Sequence, residues 1–404
     1  MNELIEKYTE LLLKKCVNFN NSKSLLISYE LENEWFIEKL VEKAHSMGIN
    51  DIYLDKRNIY EQHKILSEIS LEEIQKHEYF NQSIWDEYAL KNAAFIEMES
   101  EYPGLMDDID PEKLSKANFI MRNSKPIYKK RQHAFAIPWC KAVLPSLMWA
   151  KKLFPELKEK EAYNKLFTLI CEMCMVNTDN PINSWNEFLY EQTINEQKLN
   201  DLNITKLHYK NSLGTDLHIE LNSNAIWANA GSLGENMLAN CPTYEIFTTP
   251  DFRKTNGIVY SSRSLYYNGG LIDNFYLEFK DGKVVNYDAE VGKELLKNII
   301  ESDEYSSYLG ETALVNDNSP ISNTGIVYGN TIFDENASCH LALGSGFSEC
   351  IKNSELLSDE ELLNIGINPS KNHVDFMVGT SDLTIEAETN KGKILILKDG
   401  NLNL

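Results

Sequence analysis

The chain has no apolar run approaching the ~18–20 residues that a membrane span needs, so its sequence predicts no transmembrane helix. It also lacks the basic start and apolar stretch of a secretory signal. Residues Met1 to Val17 read instead as an amphipathic helix carrying Glu3, Glu6 and Glu10, and the expected location is the cytoplasm. Basic residues are scarce: 39 Lys and Arg stand against 61 Asp and Glu, a net charge of −22. A field of that sign repels phosphate backbones and anionic lipid, which excludes nucleic acid and membrane as partners. The same field attracts metal cations and the ammonium group of a peptide N-terminus.

Other absences narrow the class further. The seven cysteines are odd in number and irregular in spacing, which argues against a disulfide framework. Cys171 and Cys174 form one C-x-x-C with no second copy, inside the apolar run that starts at Leu166, and they read as small buried residues of a core helix. No internal repeat and no Gly-, Pro- or Ser-rich linker is present. After the first predicted strand stands Glu30-Leu-Glu-Asn rather than a Gly-rich dinucleotide fingerprint, so no nicotinamide or flavin cofactor is expected.

What is present is ample core material. Apolar residues are 43% of 404, aromatics 10%, and the length suits two domains. Ser24–Ser28 reads as a strand, Glu34–Met47 as a helix with Asn33 at its N-cap and Gly48 ending it, and Asp51–Asp55 as the next strand. Such β-α-β units build parallel sheets with helices on both faces. Further strands are expected at Ala93–Met98 and Phe135–Pro138, and helices around Leu144–Phe154, Glu161–Met175 and Trp185–Gln197.

Near Ile204 the texture changes. Leu207–Lys210 and Leu217–Leu221 flank Asn211-Ser-Leu-Gly-Thr-Asp, a hairpin signal. Strands are expected at Gly257–Ser261, Asn274–Phe279, Lys283–Asp288, Leu383–Glu388 and Lys393–Lys398, with a helix at Val291–Ile300. The fold class is therefore α/β (α+β overall). A Rossmann-like three-layer α/β domain over residues 1–205 precedes a largely antiparallel β domain with helices over residues 206–404.

Chemistry-bearing residues concentrate in the second half. His373-Val-Asp375 is an H-x-D in an apolar stretch, and on a strand its imidazole and carboxylate share a face. That suits a divalent ion, although an H-x-D is equally the pattern of a surface ion pair. Glu335 and His340 lie five residues apart among small residues, where Asp334 or Asn336 also reads as a helix cap. Glu245 and Glu311 each stand among apolar neighbours, and a buried carboxylate demands neutralisation by a metal, a hydrogen bond or a basic residue.

These segments resemble one family, the aminopeptidase T/aminopeptidase S group of dinuclear metallo-aminopeptidases, also called thermophilic metalloprotease-like peptidases. The resemblance runs over nearly the whole chain. It is carried by Pro138-Trp-Cys-Lys-Ala-Val-Leu-Pro-Ser-Leu-Met-Trp, Asn240-Cys-Pro-Thr-Tyr-Glu-Ile-Phe-Thr, Asn268-Gly-Gly-Leu-Ile-Asp-Asn-Phe, Tyr308-Leu-Gly-Glu-Thr-Ala-Leu-Val, Ser319-Pro-Ile-Ser, Phe333-Asp-Glu-Asn-Ala-Ser-Cys-His-Leu-Ala-Leu-Gly and His373-Val-Asp-Phe-Met. The family's metal ligands then fall on Glu245, Glu311, Glu335, His340, His373 and Asp375.

The resemblance implies two divalent ions (zinc, cobalt, manganese or magnesium) sharing a carboxylate and a water. It implies release of amino acids from peptides with a free N-terminus, and a homodimer; attack by a metal-bound hydroxide is the mechanism expected from such a pair of ions. Within that mechanism Glu311 is the candidate bridge and Glu335 the candidate base. Two positions depart from the family pattern. Phe347 stands where a catalytic tyrosine is usual, and Tyr244 where a second glutamate often precedes the ligand. A lost donor to the oxyanion costs roughly 10²–10³ in rate, so Tyr244 becomes a candidate replacement. The competing expectation is a catalytically weakened or inactive metal-binding homologue.

Overall fold

A computed structural model describes residues 1–19, 22–77, 82–232 and 237–404. Contacts divide the chain into two units, Met1–Phe188 with Gly234–Pro242, and Leu189–Leu233 with Thr243–Leu404. Residues 189–205 thus pack with the second unit, and the segment before Thr243 returns to the first. Among the described residues no helix is long and apolar enough to cross a membrane.

The first unit is built on a parallel five-stranded sheet. Its order is Asp51–Arg57, Ser24–Glu30, Ala94–Glu99, Trp139–Val143, Asn240–Cys241. Every residue of Ser24–Glu30 is buried, as a central parallel strand covered on both faces requires. On one side Trp85, Tyr88 and Tyr128 pack with Leu26 and Phe95.

Three local expectations are corrected. The fourth strand begins at Trp139, not Phe135, because Phe135 takes a left-handed turn (φ 48°) after the helix Pro126–His133 and Pro138 has no N–H for the ladder. Asn33 stands at the N-cap of helix Glu34–Ser46 but does not cap it. Its amide donates to Ser100 Oγ (2.8 Å) and its oxygen accepts from Tyr163 (2.9 Å). The first helix runs Asn2–Leu11 and then widens to a π-helix over Leu12–Cys16. Cys171 lies on helix Glu159–Met173 and Cys174 at its C-cap, both buried, and all seven cysteines are free.

The second unit holds two antiparallel sheets. The larger has nine strands, with the expected hairpin Lys206–Lys210/Asp216–Leu221 at its middle and Thr384–Thr389/Gly392–Lys398 beside it. The smaller has the order His373–Met377, His340–Gly344, Leu309–Leu314, Ile246–Thr248, Ala228–Asn229. One face of the small sheet contributes Ile246, Leu314, Leu341, Leu343, Val374 and Phe376 to a core shared with Leu207, Tyr209, Leu217, Ile219 and Ile385 of the large sheet. Alternation then leaves the intervening residues of each strand on the opposite face.

Candidate metal centre

That opposite face carries the chemistry. In backbone register, Glu311 lies opposite Ala342, and Ala342 opposite Asp375. One row along, Ala313 faces His340, and on the other side Gly344 faces His373. Phe247 pairs with Ala313, and Glu245 precedes it by two residues. Because residues in a row and at alternate positions share a face, Glu245, Glu311, His340, His373 and Asp375 rise around a floor of Ala313, Ala342 and Gly344. The small floor leaves room for the large polar groups. A bulge between Leu309 and Glu311 sets this register. It requires glycine at 310, where a Cβ would lie 2.1 Å from the Ser345 carbonyl oxygen.

The two imidazoles are oriented by backbone. His340 Nδ1 lies 3.1 Å from the Ser338 carbonyl and His373 Nδ1 lies 2.9 Å from that of Ser345. A carbonyl only accepts, so Nδ1 carries the proton in each ring and Nε2 faces the carboxylates. His340 Nε2 is 3.0 Å from Glu245 Oε2, while His373 Nε2 is 3.2 Å from both Glu311 Oε2 and Asp375 Oδ1. Among the described residues the ion-pair partners of these carboxylates are thus imidazoles, not the lysine or arginine that would make them ordinary salt bridges.

Donor atoms gather in two overlapping triples. Glu245, Glu311 and His340 form one, and Glu311, His373 and Asp375 the other. Within each, one donor per residue lies within 4.8 Å of the rest, and Glu311 belongs to both. Two nitrogens and three carboxylates suit a borderline or hard divalent cation, so the residues present fit such ions. Glu335 lies outside both triples. It ends the short helix Thr331–Glu335, is buried, and accepts from Asn336 Nδ2 (3.3 Å).

The electrostatics of the cluster are those of charge crowded out of water. Burial pushes Glu311 up to about 7, despite its hydrogen bond with His373. Burial, then the charges of Asp375 and Glu245, holds Glu335 well above the carboxylate range. Burial opposes charge on His340, but its hydrogen bond to Glu245 and the surrounding carboxylates override it and raise the ring well above its usual value. Against the same burial, the charge of His373 holds Asp375 low.

Several participants have no signature in sequence. The Ser338 and Ser345 carbonyls act through backbone position alone. Asn336 accepts from the Tyr244 N–H as well as touching Glu335. The cap expected at Asp334 or Asn336 is supplied by Asn330, whose side chain accepts from the Phe333 N–H. Asp334 instead accepts from the N–H groups of Tyr328 and Gly329 and shapes the preceding loop. Tyr244 is buried, with its carbonyl accepting from Gln192. The Phe347 ring lies 5.0 Å from the His373 ring and 5.2 Å from that of Phe247, so the side chain that replaces the expected tyrosine forms a wall of the cluster.

A histidine–carboxylate cluster with Glu311 and His340 buried at its centre has the donor set of a metal site. More narrowly, residues 1–402 match the family described as thermophilic metalloprotease (M29), and the chain belongs to that family. It is 35% identical to Aminopeptidase AmpS of Bacillus subtilis (strain 168), over 99% of this chain and 98% of the relative. It is 33% identical to Aminopeptidase 2 of Geobacillus stearothermophilus, over 96% and 95%. The solved structure of wild-type AmpT from Thermus thermophilus superposes with a TM-score of 0.88 at 26% identity, covering 100% of both chains.

Proposed function

We propose that this metal-dependent aminopeptidase works with two divalent ions that share Glu311, and that it releases single amino acids from peptides with a free N-terminus. The observation that carries the reading is the membership of Glu311 in both donor triples. Glu245 and His340 would complete one ion's protein ligands, and His373 and Asp375 the other's. Glu335, set apart from both triples, is buried and feels the charges of Asp375, Glu245, His340 and Glu311, and it is the candidate sixth ligand. Zinc, cobalt, manganese and magnesium all accept such donors. Bound ions would supply Lewis acidity at the scissile carbonyl and make water a better nucleophile near neutral pH.

The protein's own groups do the rest. Glu335 is the candidate proton acceptor and later donor, because its burial beside other carboxylates favours the protonated form. Any carboxylate oxygen left free by the ions can hold the substrate ammonium, which explains a requirement for an unblocked N-terminus. Tyr244, next to the ligand Glu245, is the candidate hydrogen-bond donor to the oxyanion. A homodimer in the cytoplasm completes the reading.

A second reading is a weakened homologue that binds metal and turns over slowly. It is favoured by the aromatic ring without a hydroxyl at Phe347, packed on His373. Turnover of amino-acid arylamides by metal-loaded protein separates the two. The expected result is release from free but not N-acetylated substrates, abolished by exhaustive chelation and restored by added metal. Activity that survives chelation ends the proposal. Tight metal uptake without turnover selects the weaker homologue.

A further inference from the structure

A second cluster of ligand-type side chains lies in the large sheet, away from the strands that carry Glu311. On the strand Asp216–Leu221, Asp216 and His218 flank Leu217, so they share the face opposite that core residue. His218 is the register partner of His208, and His208 in turn of Glu386. A row Glu386–His208–His218 therefore crosses three adjacent strands.

The two imidazoles stack with centroids 3.8 Å apart and planes 20° from parallel. His208 Nε2 lies 2.6 Å from Asp216 Oδ1. One donor atom from each of His208, Asp216 and His218 falls within 4.8 Å of the others. Among the described residues His218 Nδ1 is buried with no hydrogen-bond partner, an unsatisfied group that ordinarily costs stability. A cavity of about 90 Å³ opens beside both rings and is also lined by Lys206, Glu386 and Lys393. The lysines are already engaged: Lys393 pairs with Glu386 at 2.6 Å and Lys206 with Glu220 at 3.5 Å.

We propose that His208, His218 and Asp216 form an additional binding site for one divalent transition-metal ion such as zinc, nickel or copper, separate from the Glu311 centre. Two imidazole nitrogens with one carboxylate select those metals over magnesium or calcium, which prefer oxygen-only shells. With three protein donors the ion keeps open positions for water or an outside ligand.

The test is zinc content after equilibrium dialysis near neutral pH, compared between the wild-type chain and a His208→Ala/His218→Ala variant. The wild type is expected to hold one equivalent more than the variant, while both turn over peptide substrate equally. His218→Ala alone should weaken that equivalent by at least roughly 10–100-fold, since a direct ligand matters no less than its supporting groups. The readout is a difference between two proteins with the same Glu311 centre, so it is independent of how many ions that centre takes. Equal zinc content in the two proteins overturns the proposal.

Discussion

The chain carries one short pattern twice, as His373-Val-Asp375 and, reversed, as Asp216-Leu-His218. In both, strand geometry puts an imidazole and a carboxylate on the same face. What separates them is what stands in the neighbouring strands. Beside His373 and Asp375 lie Gly344 and Ala342, then Glu311, so the pair meets more carboxylates over a floor of small side chains. Beside Asp216 and His218 lie Lys210 and His208, and Lys210 Nζ approaches Asp216 Oδ2 at 3.6 Å. The first pair joins a crowd of like charges around the buried Glu311 and His340, which cations or protons relieve. The second is half in solvent and partly neutralised by lysine, so it would hold its ion more weakly than the first.

Five measurements would break or sharpen that contrast. The largest effect is expected for Glu311→Ala, which removes the residue common to both triples and should lower kcat/KM at least about 10⁴-fold. A loss below tenfold would mean that the shared carboxylate is not central. Glu335→Gln keeps the shape but not the proton and should cost roughly 10²–10⁴-fold in kcat; bound metal is expected to persist. Ala342→Leu raises the floor between Glu311 and Asp375. It should reduce turnover roughly 10²-fold through misplacement, with far-UV circular dichroism unchanged, and full activity would refute the account of the floor.

Phe347→Tyr restores a hydroxyl beside His373 and is expected to raise kcat by roughly tenfold or more, within the worth of one oxyanion donor. If kcat does not rise, the missing hydroxyl limits nothing, and Tyr244→Phe then tests the substitute donor. The smallest effect is expected for His208→Ala at the large sheet, where peptide turnover should match the wild type. A marked fall in activity there would erase the distinction between the two clusters.

Much of the scaffold was legible in the residues. The apolar runs at Ser24 and Asp51 with an amphipathic helix between them gave a parallel unit, and alternation around Asn211–Asp216 gave the hairpin. Errors arose where short-range signals compete with tertiary contacts. Asn33 is a good cap by type, yet Ser100 and Tyr163 claim its side chain. Asp334 is likewise claimed by backbone N–H groups of the loop before it. The site residues were named through family motifs and not through spacing, because they come from four strands or strand ends and one short helix spread between residues 245 and 375.

By itself the sequence determined the supply of parts: where periodicity changes from helix to strand, which strands bury both faces, and which segments carry histidine and carboxylate. Only the tertiary structure decided which parts meet. The rows Glu311–Ala342–Asp375 and Ala313–His340 exist because of one antiparallel register and one bulge that demands Gly310. Register is a property of paired strands, set jointly by buried faces and turns, and a slip of one residue would turn every ligand toward the opposite face. No single segment contains that information, which is why mirrored patterns at His373 and His218 ended in different surroundings.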